Sequence, residues 1–262
     1  MSWLRVKSIA KRHAYVLRRS PHRLYDITIW PLVDVLLFGS LGVFLSEADG
    51  GEAAAYGYLL GGIVLWHVVY QSQIALSTGF LEETWSRNLL NLMVTPLKEV
   101  EYAAGVALFG LVKLTLGVGL VALAAFGFFA FDVTDVGLGL IPIAAVLLAV
   151  GWAIALFVIA LVLRFGSGAE ALAWGILFLV MPLSGVFYPV PALPGAAQPM
   201  ARLLPTTHAF SAMRSLLDGR GTAWDELALA AGGAVALGIA ATLFLAKMLS
   251  IFRTRGYITR YS

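Results

Sequence analysis

Residues 182–217, PLSGVFYPVPALPGAAQPMARLLPTTHAFSAMRSLL, constrain the fold of this chain more than any other stretch. They begin inside an apolar run, hold six of the ten prolines, and close on a segment patterned as an amphipathic helix. Proline fixes φ and removes a backbone donor, so this run does not continue as an ordinary membrane-spanning helix. Irregular backbone at membrane depth survives only where it is buried in protein or lines a wet cavity. A membrane chain that keeps such a broken, re-entrant segment is expected to use it as a gate or a pathway, which points to transport.

The membrane setting follows from composition. The chain is 60% hydrophobic and 13% charged, with a mean hydropathy of +0.87. Soluble domains run near 45–50% apolar and about 25% charged. There is no cysteine, which removes disulfides, thiol nucleophiles and cysteine-metal sites. A net charge of +3 is too small to argue for a nucleic-acid partner. A crossing takes about 20 apolar residues. Six such runs are read, at 27–46, 57–78, 103–129, 138–163, 169–188 and 227–249, so the expected fold is an all-α integral membrane protein of six transmembrane helices. The fifth run breaks at Pro182. Residues 1–26 carry seven Lys/Arg and no short apolar core with a cleavage site, so no signal peptide is expected.

The basic residues set the orientation. Fourteen of them (Arg5, Lys7, Lys11, Arg12, Arg18, Arg19, Arg23, Arg87, Lys98, Arg164, Lys247, Arg253, Arg255 and Arg260) fall on one side of the six-span topology. The other side has Arg202, Arg214 and Arg220, and its short loops carry Glu47, Asp49, Glu52, Asp132 and Asp135. The positive-inside rule then places both termini in the cytoplasm.

Two segments outside the spans carry patterns of their own. Residues 3–19 put Val6, Ile9, Ala10, His13, Val16 and Leu17 on one helical face, with most of the cations on the remainder. Such a basic amphipathic helix, taken as residues 1–22, lies in the headgroup plane; the alternative is a disordered basic tail. Between spans two and three, EETWSRNLLNLMVTPLKEVE sets Leu89, Leu90, Leu92 and Met93 among Glu82, Glu83, Arg87 and Asn88, with Pro96 as the stop. A short helix of this kind either docks on a soluble partner or packs on its own bundle.

Ionisable groups inside spans are costly and functional by default. Asp34 in span one either lines a conduit, pairs with a basic group or is solvated near the headgroups. Lys113 in span three either reaches the conduit or snorkels toward the cytoplasm. His67, Tyr70, Gln71 and Gln73 cluster in span two, where Tyr70 and Gln73 share a face and suit either a conduit or a helix–helix seal. Phe187, Tyr188 and Pro189 at the proline-rich turn read as a bulky plug or as anchors of an aromatic belt.

Taken together, the N-terminal helix, the Glu82–Glu101 loop and the segment containing Phe187, Pro189, Leu193, Pro194, Pro205 and Arg214 to Leu217 resemble the transmembrane subunit of the type-2 ABC export permeases. The resemblance covers essentially the whole chain. In the loop, Ser86, Arg87 and Asn88 stand where many members have a Gly-Thr-Leu-Glu core, ahead of Leu89-Leu90 and Thr95-Pro96. It implies one transmembrane permease domain over 1–262, a homodimer joined to two nucleotide-binding ATPase subunits, and Glu82–Pro96 as the coupling helix. Glu82, Glu83, Arg87, Leu89, Leu90, Thr95 and Pro96 would contact the ATPase, whose closure would open the gate at Phe187 and Tyr188. ATP and magnesium would be held by that partner, with no cofactor on this chain. The sequence agrees in one respect: it has no G-x-x-x-x-G-K-[ST] phosphate loop, so the chain is not expected to be an enzyme. Cargo would be an amphipathic or lipid-linked molecule such as a glycolipid, polysaccharide or hydrophobic drug, moved across a bacterial inner membrane. Two rivals are weaker. A serine hydrolase built on Ser167 and His208 needs the two within hydrogen-bond reach, but the topology sets them on opposite sides. A proton-coupled carrier wants carboxylates deep in the spans, and only Asp34 qualifies.

Overall fold

The computed structural model describes residues 2–48, 53–85, 99–166, 169 and 171–255, and those residues fold as an all-helical bundle with no strand. The helices are α1 (Trp3–Arg18), α2 (Pro21–Ala48), α3 (Ala53–Trp85), α4 (Glu99–Phe129), α5 (Leu140–Phe165), α6 (Ala171–Leu183), α7 (Gln198–Leu203), α8 (Pro205–Leu217) and α9 (Trp224–Arg255). Single 3-10 turns lie at Val133–Val136 and Val190–Ala192.

Five helices are long and apolar enough to cross a membrane, with candidate spans Ile27–Glu47, Tyr56–Leu81, Ala104–Phe129, Leu140–Phe165 and Trp224–Ile251. They fall on five of the six runs read from the sequence. The remaining run, 169–188, forms α6, whose 13 residues extend only about 20 Å. A hydrocarbon core is roughly 30 Å thick, and α6 stops at Leu183, one residue beyond Pro182.

Helix α3 is the centre of the bundle. Its span is 89% inside the protein, against 28% for those of α2 and α4, and it packs on α2, α4, α5, α6 and α8. Its mean hydropathy, 1.4, is the lowest of the five spans, and polar side chains at membrane depth turn toward protein rather than lipid. Small residues let its neighbours approach: a Cβ at Gly151 of α5 would overlap the Ser72 side chain, and one at Gly62 of α3 would lie 2.6 Å from the Val186 carbonyl oxygen. The connection 130–139 closes the bundle end at which α3 begins. There the Tyr56 hydroxyl donates to the Phe129 carbonyl, and Asp132 caps its 3-10 turn by accepting from the Thr134 amide at 2.8 Å. Residues 184–217 fold over this same end, with Met213 and Leu217 facing Gly61.

Helix α1 forms as the sequence pattern anticipates, and its apolar stripe lies against α4. Val6, Ile9 and His13 are buried, Ile9 sits directly over Gly105, and the His13 ring stacks on Phe109 at 5.6 Å. Glu101 of α4 accepts from the Ser2 amide at 2.6 Å and pairs with Arg5 at 3.2 Å.

Candidate functional site

The chain breaks at the end of α6, and the break is answered group by group. A helix end leaves carbonyls without partners, a heavy cost where water is scarce. The Ser184 hydroxyl donates to Val180 O at 2.7 Å, and the Thr206 hydroxyl of α8 lies 2.5 Å from Ser184 Oγ. The Tyr188 hydroxyl returns to Pro182 O at 2.9 Å. Thr207 donates to Ala201 O at 2.6 Å, with Leu183 O at 3.4 Å as its weaker acceptor. Arg214, buried in α8, donates Nη1–H to Gly185 O at 2.5 Å. Gly185 itself adopts φ +60°, and a Cβ there would lie 2.8 Å from Tyr188 O, so the turn requires glycine.

Past that turn, Val186 is buried against α3 at Gly62, and Phe187 stacks on Phe38 of α2 with ring centres 4.1 Å apart. Pro189 is exposed and opens the Val190–Ala192 turn. The returning chain is also tied to α9: His208 Nδ1 lies 2.7 Å from Glu226 Oε2, and its Nε2 lies 3.0 Å from Arg202 O.

A second polar group lies deeper along α3. Asp34 Oδ2 of α2 is 3.5 Å from His67 Nε2, and His67 Nδ1 is 3.0 Å from Ile63 O, which makes it the donor on that side. The His67 ring neighbours Tyr70 at 5.9 Å, and Tyr70 neighbours Trp174 of α6 at 6.5 Å. Gln71, a turn beyond His67 on the same face, packs against Gly117 of α4. Neither of its carboxamide atoms has a hydrogen-bond partner among the described residues.

The sequence-read residues therefore form two groups. Asp34 and Tyr70 meet through His67, while Phe187, Tyr188 and Pro189 belong to the break. Gln73 is fully enclosed, with its amide 3.3 Å from Ser77 Oγ, and does not share the partly open position of Tyr70. Lys113 is buried in α4. Glu82 and Glu83 belong to the last turns of α3, whereas Arg87, Leu89, Leu90, Thr95 and Pro96 lie outside the described residues, as does Ser167. Reading the sequence for function passed over Ser184, Thr206 and Thr207, and took Arg214 only as part of a motif. Their one advance signal was their place beside a proline-broken apolar run.

Long apolar helices around a buried central one, with a capped break at one end, define a multi-pass α-helical membrane protein whose polar groups are turned inward. The profile of the ABC-2 type transporter family matches residues 5–217, and the chain belongs to that family. It is thus a transmembrane subunit of an ABC transporter, a class whose ATP-binding component is a partner. No curated protein sequence matches the chain.

Proposed function

We propose that two copies of this chain form the membrane half of an exporter that moves an amphipathic or lipid-linked molecule outward (glycolipid, polysaccharide or hydrophobic drug), powered by two ATPase subunits. The observation that carries this reading is the capped break after α6: it is irregular backbone held by side chains from α8, with the Phe187–Phe38 stack beside it. Irregular backbone held by a few side-chain hydrogen bonds, in place of a helical ladder, suits a gate. In this reading the 182–217 segment re-enters from the outer side of a bacterial inner membrane, both termini are cytoplasmic, and Glu82–Pro96 meets the ATPase. Asp34 and Tyr70 face the conduit, and Gln73 and Lys113 support its wall. The chain acts as a single permease domain.

The test is a pull-down of the chain co-expressed with its neighbouring genes in mild detergent, followed by an ATPase assay on the eluate. A co-purifying phosphate-loop subunit with vanadate-sensitive turnover is the expected result. A chain that elutes without ATPase would overturn the proposal and turn attention to proton coupling at Asp34.

A further inference from the structure

The face of α1 turned away from α4 carries a pattern of its own. At about 3.6 residues per turn, Trp3, Leu4, Lys7, Lys11, Tyr15 and Arg18 lie on the arc opposite Val6, Ile9 and His13. Trp3, Leu4 and Tyr15 are 55%, 75% and 55% exposed, and Lys7, Lys11, Arg18 and Arg19 are exposed with them. The Lys7 ammonium stands 5.4 Å over the Trp3 ring, and that of Lys11 stands 5.6 Å over the Tyr15 ring. None of these four cations is in an ion pair with a described residue. The first acidic residue of the chain is Asp26, so α1 holds no carboxylate to neutralise them. A shallow open depression of about 450 Å³ beside them is bounded by Ser8, Lys11, Arg12, Tyr15, Val16 and Arg19.

The position of α1 decides which anion this face meets. Helix α4 has 31 residues and is about 46 Å long, roughly 16 Å more than a hydrocarbon core. Helix α1 packs on its first turns, between Glu101 and Phe109, where a span emerges into the headgroup layer. Tryptophan and tyrosine beside unpaired lysines form the pairing that settles at that layer, and a basic cluster there is drawn to anionic lipid.

We propose that this face of α1 binds the headgroups of anionic phospholipids in the leaflet beside the N-terminal end of α4. The apolar stripe of α1, which a free amphipathic helix would sink into lipid, is occupied by α4, so lipid contact passes to the aromatic and cationic face. The Arg5–Glu101 pair then joins a lipid-bound helix to the start of α4, directly after the Glu82–Pro96 segment. The inference rests on the chain being a membrane protein and holds whatever its cargo.

Because the chain lacks cysteine, a fluorophore on Leu4→Cys reports on this face alone. The labelled protein is placed in lipid nanodiscs with the same fraction of brominated acyl chain, carried on phosphatidylglycerol in one preparation and on phosphatidylcholine in the other. The expected result is several-fold stronger quenching from phosphatidylglycerol, weakened by salt, lost in K7Q/K11Q/R18Q/R19Q and kept in the charge-retaining K7R/K11R. Equal quenching by both lipids, or quenching that the charge-neutral variant retains, would overturn the proposal. So would two other outcomes: inorganic phosphate abolishing the difference, which marks a site for the free anion, and a label that responds only when an ATPase subunit is added, which marks a protein interface.

Discussion

At the residue scale, Arg214 bears most on the break. It is buried, and its guanidinium is the donor that Gly185 O receives from α8. Arg214→Gln leaves that carbonyl unanswered and is expected to lower unfolding stability by about 1–3 kcal/mol. Arg214→Lys keeps a cation at the end of α6 and should lose less; denaturant unfolding of both variants in detergent checks the order. Asp218 gives a pH-dependent counterpart outside the spans. The hydrogen bond from the Tyr58 hydroxyl holds its carboxyl below the usual carboxylate value; burial opposes that, and Arg220 beside it adds a pull in the lowering direction. A depressed carboxyl stabilises the fold above its unfolded pKa, near 4, and that contribution is lost as pH falls through the lower folded value. The melting temperature should therefore drop on acidification below about pH 4, and Asp218→Asn should flatten that part of the profile. One site contact was within reach of the sequence: Asp34 and His67 stand equally far from residues 49–52, so a simple helical hairpin sets them level. Arg214 was not, because its acceptor lies 29 positions away across a non-repeating turn.

At the element scale, five helices were legible because an apolar run longer than a bilayer core has few alternatives in lipid. The run 169–188 looked the same in composition, and its shortness follows from Pro182 and the left-handed turn at Gly185, which end the helix whatever its hydropathy. The apolar stripe of α1 was equally legible, but not the surface that covers it, since a stripe fits lipid and a neighbouring helix alike. The approach of the break to α3 makes a sharp test. Gly62→Val places a branched side chain against the Val186 carbonyl and should cost about 1–3 kcal/mol by overpacking, read by thermal unfolding, and should alter transport by displacing the Phe187 turn. The Glu82–Pro96 segment carries a separate expectation. Leu89→Glu with Leu90→Glu should leave the chain folded and abolish transport while the partner continues to hydrolyse ATP, as followed by parallel ATPase and efflux assays; transport that survives the double change would remove the docking role from this segment.

At the scale of the whole molecule, the outstanding question is which face meets a second copy. A carboxylate facing lipid is costly, so ionisable groups in spans turn toward protein or a wet cavity. The Asp34 side chain is nonetheless 24% accessible in the single chain. Along its helical face lie Trp30, Leu37 and Leu41, exposed by 47%, 59% and 40%. An apolar stripe that contains an accessible carboxylate fits a partner or a conduit better than acyl chains. By contrast, the outer face of α9, with Val235, Ile239 and Leu243 exposed and no ionisable group among them, suits lipid. The proposed homodimer is therefore expected to close along α2, with the Asp34–His67 pair at the rim of the passage between the copies. With no native cysteine to interfere, single cysteines at Trp30, Leu37 and Leu41 can be oxidised in membranes and resolved by gel. At least one should give a covalent dimer, because a residue beside a two-fold axis meets its own counterpart within the roughly 4–7 Å that a disulfide allows between Cα atoms. Leu243→Cys should remain monomeric. Crosslinking at Leu243, with none along α2, would move the dimer interface to α9 and place Asp34 in a passage within a single chain.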